Sequence, residues 1–305
     1  MENFDDVLFA SDQPQQSEQQ SGEYDIDSYK EKKQQERDAA YSKIDEAALA
    51  LSSPEKLKGY LDIQSRFDLY RPGNVLLIQS QMPTATRLKS YDEWRKLGAG
   101  VRRDQRHIVI LKSGKQFARD NGTIGQYTNV AQVFDVSQTF SAPKFKQPVY
   151  PEGRDLIKAL MSKSPVPAAK SDNLPEGVGA YFDPKDNVIY VRPGMDAPDI
   201  FRSMSVELSH AELSRQQGSE YSRDKAEFAA YCSSYVLCQK FGVDVSGYNF
   251  ENASQQFEGK DAKSIREDLS DIREASGEIV SRVKDAIQQD RAVSKEPKEQ
   301  EADAR

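Results

Sequence analysis

The chain has 305 residues, 37% hydrophobic and 30% charged, with a formal net charge of −7. At roughly 100–200 residues per domain this length suggests two domains, and the low apolar content excludes a core that runs the whole length. No run approaches the roughly 18 consecutive apolar residues of a membrane span, so no membrane partner is expected.

The acidic start, MENFDDVLFASDQPQQ, lacks the basic and apolar regions of a signal peptide. Residues 1–28 are Gln-, Ser- and acid-rich without periodic apolar positions, and they predict a disordered tail. A helical pattern follows to about Ser52, with Ala39, Ile44, Ala47, Ala48 and Leu51 as its apolar positions. Helix spacing resumes over Pro54–Tyr70 through Leu57, Tyr60, Leu61, Ile63 and Phe67, and Arg71-Pro72-Gly73 breaks it. Asn74 is expected to cap a short apolar helix, VLLIQSQ, that Pro83 stops. Ser90-Tyr91-Asp92-Glu93 reads as a capping box opening a helix that Gly98 ends. Two strands follow, HIVILK and NVAQVFDVSQ, joined by a turn-rich loop, SGKQFARDNGTIGQYT.

Charge is unevenly spread. Between Pro54 and Phe140 there are 14 Lys and Arg against 8 Asp and Glu, a net of +6, which leaves −13 for the rest. A basic module inside an acidic protein points to a polyanion partner or to a solvated basic face. Single-stranded nucleic acid needs cations along its backbone and aromatic faces under its bases. The module supplies Arg87, Lys89, Arg95, Lys96, Arg102, Arg103, Arg106, Lys112, Lys115 and Arg119, interleaved with Tyr70, Tyr91, Trp94, Phe117 and Tyr127. Trp94 lies on an amphipathic helix and is expected in the core. Tyr91 and Phe117 are the candidate stacking residues.

The segment YRPGNVLLIQSQMPTATRLKSYDEWRKLGAGVRRDQRHIVILK, closed by QVFDVSQT, resembles the N-terminal domain of ArdC-type antirestriction proteins over roughly residues 54–140. The family pattern carries Gly and an acid where this chain has Asp104-Gln105. The resemblance implies binding of single-stranded DNA by a protein of plasmids or other mobile elements, which would shield incoming DNA from restriction.

Residues 141–150 (SAPKFKQPVY) read as a linker. Beyond it come a helix over Gly153–Lys163, a hairpin (GAYFD, turn PKDN, VIYVRP) and helices over about Pro198–Arg215, Arg223–Phe241 and Lys263–Gln288. The last is expected to pack within the chain rather than on a partner. VELSHAEL and KAEFAAY within the first two of these helices resemble zincin-type metallopeptidase helices, as in LtrC-like proteins of conjugative plasmids. There the first helix carries His-Glu-x-x-His and the second a ligand Glu. The resemblance places Glu207 as general base and His210 and Glu227 as metal ligands, but Val206 stands where the first histidine belongs. The chain has only two histidines, and His107 lies in the other unit. A non-catalytic scaffold is the leading expectation. A weak divalent-metal site using His210, Glu227 and nearby Glu212 is the second, and an active peptidase the third. No other cofactor is expected. No phosphate loop, Ser-His-Asp set or internal repeat occurs. Cys232 and Cys238, six apart, form no disulfide framework and suit a reducing, cytoplasmic setting as small core residues.

The sequence therefore predicts an α+β protein. Residues 29–140 form an ArdC-like domain that binds single-stranded DNA. Residues 151–288 form a mostly helical, zincin-like domain with a β-hairpin, and 289–305 form a charged, disordered tail. Protein partners are expected through the second domain or the tails.

Overall fold

The computed structural model describes residues 26–118, 123–146 and 148–293, the side chains of Ile26, Phe117 and Val293 excepted. The expected disorder of 1–25 and 294–305 lies outside the described residues, as does Arg119. In chain order the elements are α1 (Ile26–Leu49), α2 (Pro54–Arg66), α3 (Pro72–Gln81), β1 (Leu88–Lys89), α4 (Tyr91–Lys96), β2 (Gly100–Val101), β3 (Ile108–Ala118), β4 (Ile124–Asp135) and β5 (Thr139–Phe140). There follow α5 (Gly153–Met161), β6 (Ala168–Lys170), β7 (Ala180–Asp183), β8 (Val188–Val191), α6 (Ala197–Gln217), α7 (Arg223–Phe241), α8 (Ala253–Phe257) and α9 (Ala262–Val293). No described helix is long and apolar enough to cross a membrane.

The mixed α and β composition agrees with the sequence, and several ends move. Residues 26–28 and 289–293 are helical rather than tail, because helix propagation beyond a packed nucleus costs little. The α2 helix stops at Arg66 instead of Tyr70, where Phe67 leaves helical geometry at ψ 52. The segment expected as a loop between β3 and β4 is mostly strand. The ladder continues from Ile108↔Val133 outward to Ala118↔Ile124, with an irregularity between Ser113 and Gln116. Local glycines and asparagines signal a turn, but cross-strand pairing carries the arms past them. β6, which runs parallel to β8, and α8 carried no sequence signal.

Two amides on α3, Asn74 and Gln81, hold the neighbouring strand β3. Asn74 does not cap the helix, which begins at Pro72 with Arg71 as N-cap. Its side chain instead brackets Leu111, donating to Leu111 O at 2.8 Å and accepting from Leu111 N at 2.7 Å. Gln81, two turns on, does the same to Val109, donating at 2.9 Å and accepting at 2.8 Å. β3 is an edge of the β1-β4-β3 sheet. The two carboxamides supply the ladder partners that an edge strand lacks. The intervening Val75, Leu76, Leu77 and Ile78 are all buried.

Two apolar clusters hold the molecule. One gathers Ile44, Leu57, Tyr60, Leu61, Leu76, Ile110 and Val133 together with Cys232, Tyr235, Val236, Ile265 and Ile272, so it spans both sides of residues 141–150. The other joins Leu156, Leu160, Phe182, Ile189, Phe201, Leu208, Leu237, Cys238 and Ile279. Both cysteines are free and fully buried, one in each cluster. Burial pushes both thiols up, Cys238 to about 11. Polar ties cross the same contact. Tyr235 and Gln239 donate to Asp62 at 2.5 and 2.7 Å, and Lys240 and Lys284 pair with Asp68 at 3.1 and 2.5 Å.

Candidate functional site

The predicted cations stand on four segments: β1 with its lead-in, α4, the loop from β2 to β3, and β3. Arg87 leads into β1, and its guanidinium lies 4.1 Å from the centroid of Phe145, whose ring meets Trp94 edge-on. Lys89 sits on β1, half-buried, while Arg95 and Lys96 are exposed on α4. The α4 helix opens with the predicted capping box, Ser90 Oγ accepting from Glu93 N and Glu93 accepting from Ser90 N at 2.8 Å. The Ser90 backbone and hydroxyl donors hold the Glu93 carboxyl below its usual range, and Lys112 and Lys89 add to this. Those two lysines therefore share a neighbourhood with the start of α4. Arg102, Arg103 and Arg106 are exposed on the loop from β2 to β3, and Lys112 and Lys115 on β3.

Of the aromatic candidates, Trp94 is fully buried and its indole donates to Phe134 O at 2.9 Å. Tyr91 is 51% exposed. Phe117 pairs with Gly125 through its backbone, and its side chain lies outside the described residues.

The residues that shape this surface are Asp135 and Gln138, which the sequence placed in a motif without a role. Asp135 is fully buried and accepts from Thr86 N and Arg87 N at 2.7 and 2.8 Å and from Ser137 N at 3.0 Å. Burial opposes its ionisation, but the amides of Arg87, Ser137 and Thr86 overcome that and leave the carboxyl below its ordinary value. Gln138 accepts from Asp135 N at 2.8 Å and donates to Arg106 O at 2.7 Å, while Arg102 N donates to Gln138 O at 2.9 Å. One carboxylate thus fixes the backbone at Arg87, and one glutamine pins both ends of the loop bearing Arg102, Arg103 and Arg106. Asp104, within that loop, has φ +61°. This is the left-handed conformation that glycine adopts freely and aspartate tolerates, so the departure at 104 keeps the loop geometry.

The zincin-like residues converge differently. Glu207, buried on α6, accepts from Phe182 N of the edge strand β7 at 2.7 Å and from both terminal nitrogens of Arg223 at 2.8 Å. Arg223 opens α7 and lies 4.5 Å from the Tyr181 ring centroid. Desolvation works against its charge, and the Glu207 hydrogen bond outweighs it. His210 is fully buried, with Nε2 3.2 Å from Glu227 Oε2 and Nδ1 3.1 Å from the Tyr221 hydroxyl. The His210 hydrogen bond draws the Glu227 carboxyl below its usual range, and desolvation pushes the Tyr221 phenol up to about 12.

These residues do not fit a zincin metal. The first-histidine position is Val206, packed against the core, and the would-be base is clamped by a guanidinium. Glu212, the nearby carboxylate, is also committed: it pairs with Arg215 at 2.9 Å and with Arg282. Among the described residues no three His, Cys, Asp or Glu side chains are placed to share an ion.

Residues 41–137 match the family model described as the N-terminal domain of anti-restriction factor ArdC. This is the segment whose motifs resemble that family, extended back into α1. A Bacillus anthracis relative, "Uncharacterized protein pXO2-81", is 23% identical with 64% of this chain covered. The match covers 42% of that relative, so the chain spans about two-fifths of its length. Crystal structures of the antirestriction ArdC protein from the R388 plasmid, metal-free and Mn(II)-bound, superpose with TM-scores of 0.48 and 0.44 at 17% identity. They cover 73% and 74% of this chain and 86% of each crystallised chain.

Proposed function

We propose, from the ArdC N-terminal domain formed by residues 41–137, that this chain binds single-stranded DNA and shields the incoming DNA of a mobile element from restriction. The observation that carries the reading is the arginine loop. Arg102, Arg103 and Arg106 are exposed, while Gln138 pins the loop's backbone at both ends. Cations held on a fixed backbone lose less entropy on meeting phosphates than cations on a loose tail. The 29–140 unit supplies the nucleic-acid surface, the linker lies at 141–150, and the 151–288 unit is a non-catalytic scaffold. The Arg223–Glu207 pair supports the scaffold reading, because a general base in a bidentate arginine clamp cannot take a proton from water.

Charge reversal at both Arg102 and Arg103 in the full chain tests this. With both loop cations contacting phosphates, the reversal weakens binding to a single strand. The slope of log affinity against log salt then falls by about 1.4, at roughly 0.7 per lost phosphate contact. An unchanged slope removes this loop from the DNA path.

A further inference from the structure

The short ribbon of β2 and β5 pairs Gly100 with Phe140 and Val101 with Thr139, and the Arg102 N to Gln138 O bond extends it by one rung. Strand alternation puts Gly100 and Phe140 on one face. Arg102, the residue after β2, turns its guanidinium to Ser137 O, donating at 2.9 Å. Phe140 is 55% exposed, unusual for so large an apolar ring. It is nonetheless supported: the ring lies over the bare Cα of Gly100, where any Cβ would overlap it. The result is an aromatic face, backed by glycine and exposed to solvent, on the ribbon that leads into the loop bearing Arg102, Arg103 and Arg106. Asp104 is the one carboxylate in that loop, and the neighbouring Asp135 is buried and saturated by amide donors.

We infer that Phe140 is a base-stacking platform for single-stranded DNA, with the arginine loop holding the phosphates on either side of the stacked base. This rests on the single-strand reading above and adds a site to it. The exposed cations of the adjoining loop argue for a nucleotide over an apolar peptide, since an apolar partner would bring no anion to Arg103 and Arg106. A platform of this kind also discriminates, because the bases of a duplex are stacked on one another and present no free face.

The chain has a single tryptophan, Trp94, and it is buried. A full-length Phe140→Trp variant therefore carries one surface indole whose emission reports on this position. The probes are oligo-dT of about 30 nucleotides and an abasic strand of equal length. The site predicts that oligo-dT quenches the new emission at saturation and the abasic strand does not. Phe140→Ala should weaken oligo-dT binding about 5- to 150-fold, the effect of one stacked base, and change abasic-strand binding by less than about twofold. Emission of the Phe140→Trp variant that stays unchanged while anisotropy shows the strand bound, or full affinity in Phe140→Ala, overturns the platform and leaves single-strand binding standing. A wild-type chain that binds neither strand overturns both.

Discussion

At the residue scale, single polar side chains do most of the positioning, and a few substitutions expose them. Asp135→Asn puts an amide N–H₂ among backbone donors. It should cost about 1–3 kcal/mol, the desolvation penalty of buried groups left unsatisfied, read by chemical denaturation near neutral pH. The folded-state pKa of Asp135 is depressed. Its contribution is therefore complete above the unfolded value of about 3.9 and is lost as pH falls through the lower folded value. The gap between wild type and variant should close in acid; a gap that persists there would place its origin elsewhere. Arg223→Ala leaves buried Glu207 without its cation and should cost about 3–5 kcal/mol, whereas Arg223→Leu with Glu207→Gln should recover part of that. Equal losses in both variants would contradict the clamp. Asp104→Gly relieves a left-handed aspartate and removes the loop's carboxylate. It should leave stability equal or better by up to about 1 kcal/mol and tighten single-strand binding; weaker binding would count against the arginine loop.

At the element scale, the α3–β3 contact is the part that sequence reasoning could see but not interpret. Capping preference assigned Asn74 to a helix start, and Gln81 carried no reading of its own. Only the sheet edge at Val109 and Leu111 explains why two carboxamides are needed seven residues apart. Asn74→Ala or Gln81→Ala should each cost about 1–3 kcal/mol by leaving those backbone groups unpaired, measured as a lowered denaturation midpoint; no shift would mean water replaces the amide freely. Signals that depend on one local motif were readable, such as the Ser90–Glu93 capping box, the PKDN turn and the helix end at Gly98, φ +75°. Elements decided by distant partners were not. The outer arms of β3 and β4 depend on each other, β6 depends on β8, and Phe140 becomes a platform only because Gly100 lies beneath it.

At the scale of the whole molecule, the sequence divides the chain at 141–150, while the first apolar cluster runs across that division. Tyr60, Leu61 and Ile63 meet Tyr235, Val236 and Ile272 in one core, and the Asp62 and Asp68 ties reinforce it. A break in composition is local, whereas a shared core is a long-range property, which is why periodicity could list its residues but not join them. The helical second half therefore supports the basic module, and with it the DNA binding proposed above. Measurements of that binding belong to the full chain, since the isolated module would expose its share of the core. The most direct of them is a fluorescence-anisotropy titration of the intact protein with a labelled single strand of about 30 nucleotides, at two salt concentrations and with unlabelled duplex as competitor. The predicted result is micromolar or tighter binding that weakens as salt rises and that duplex displaces poorly. Absence of binding, or displacement by duplex as readily as by single strand, would contradict single-strand binding as the activity of this chain.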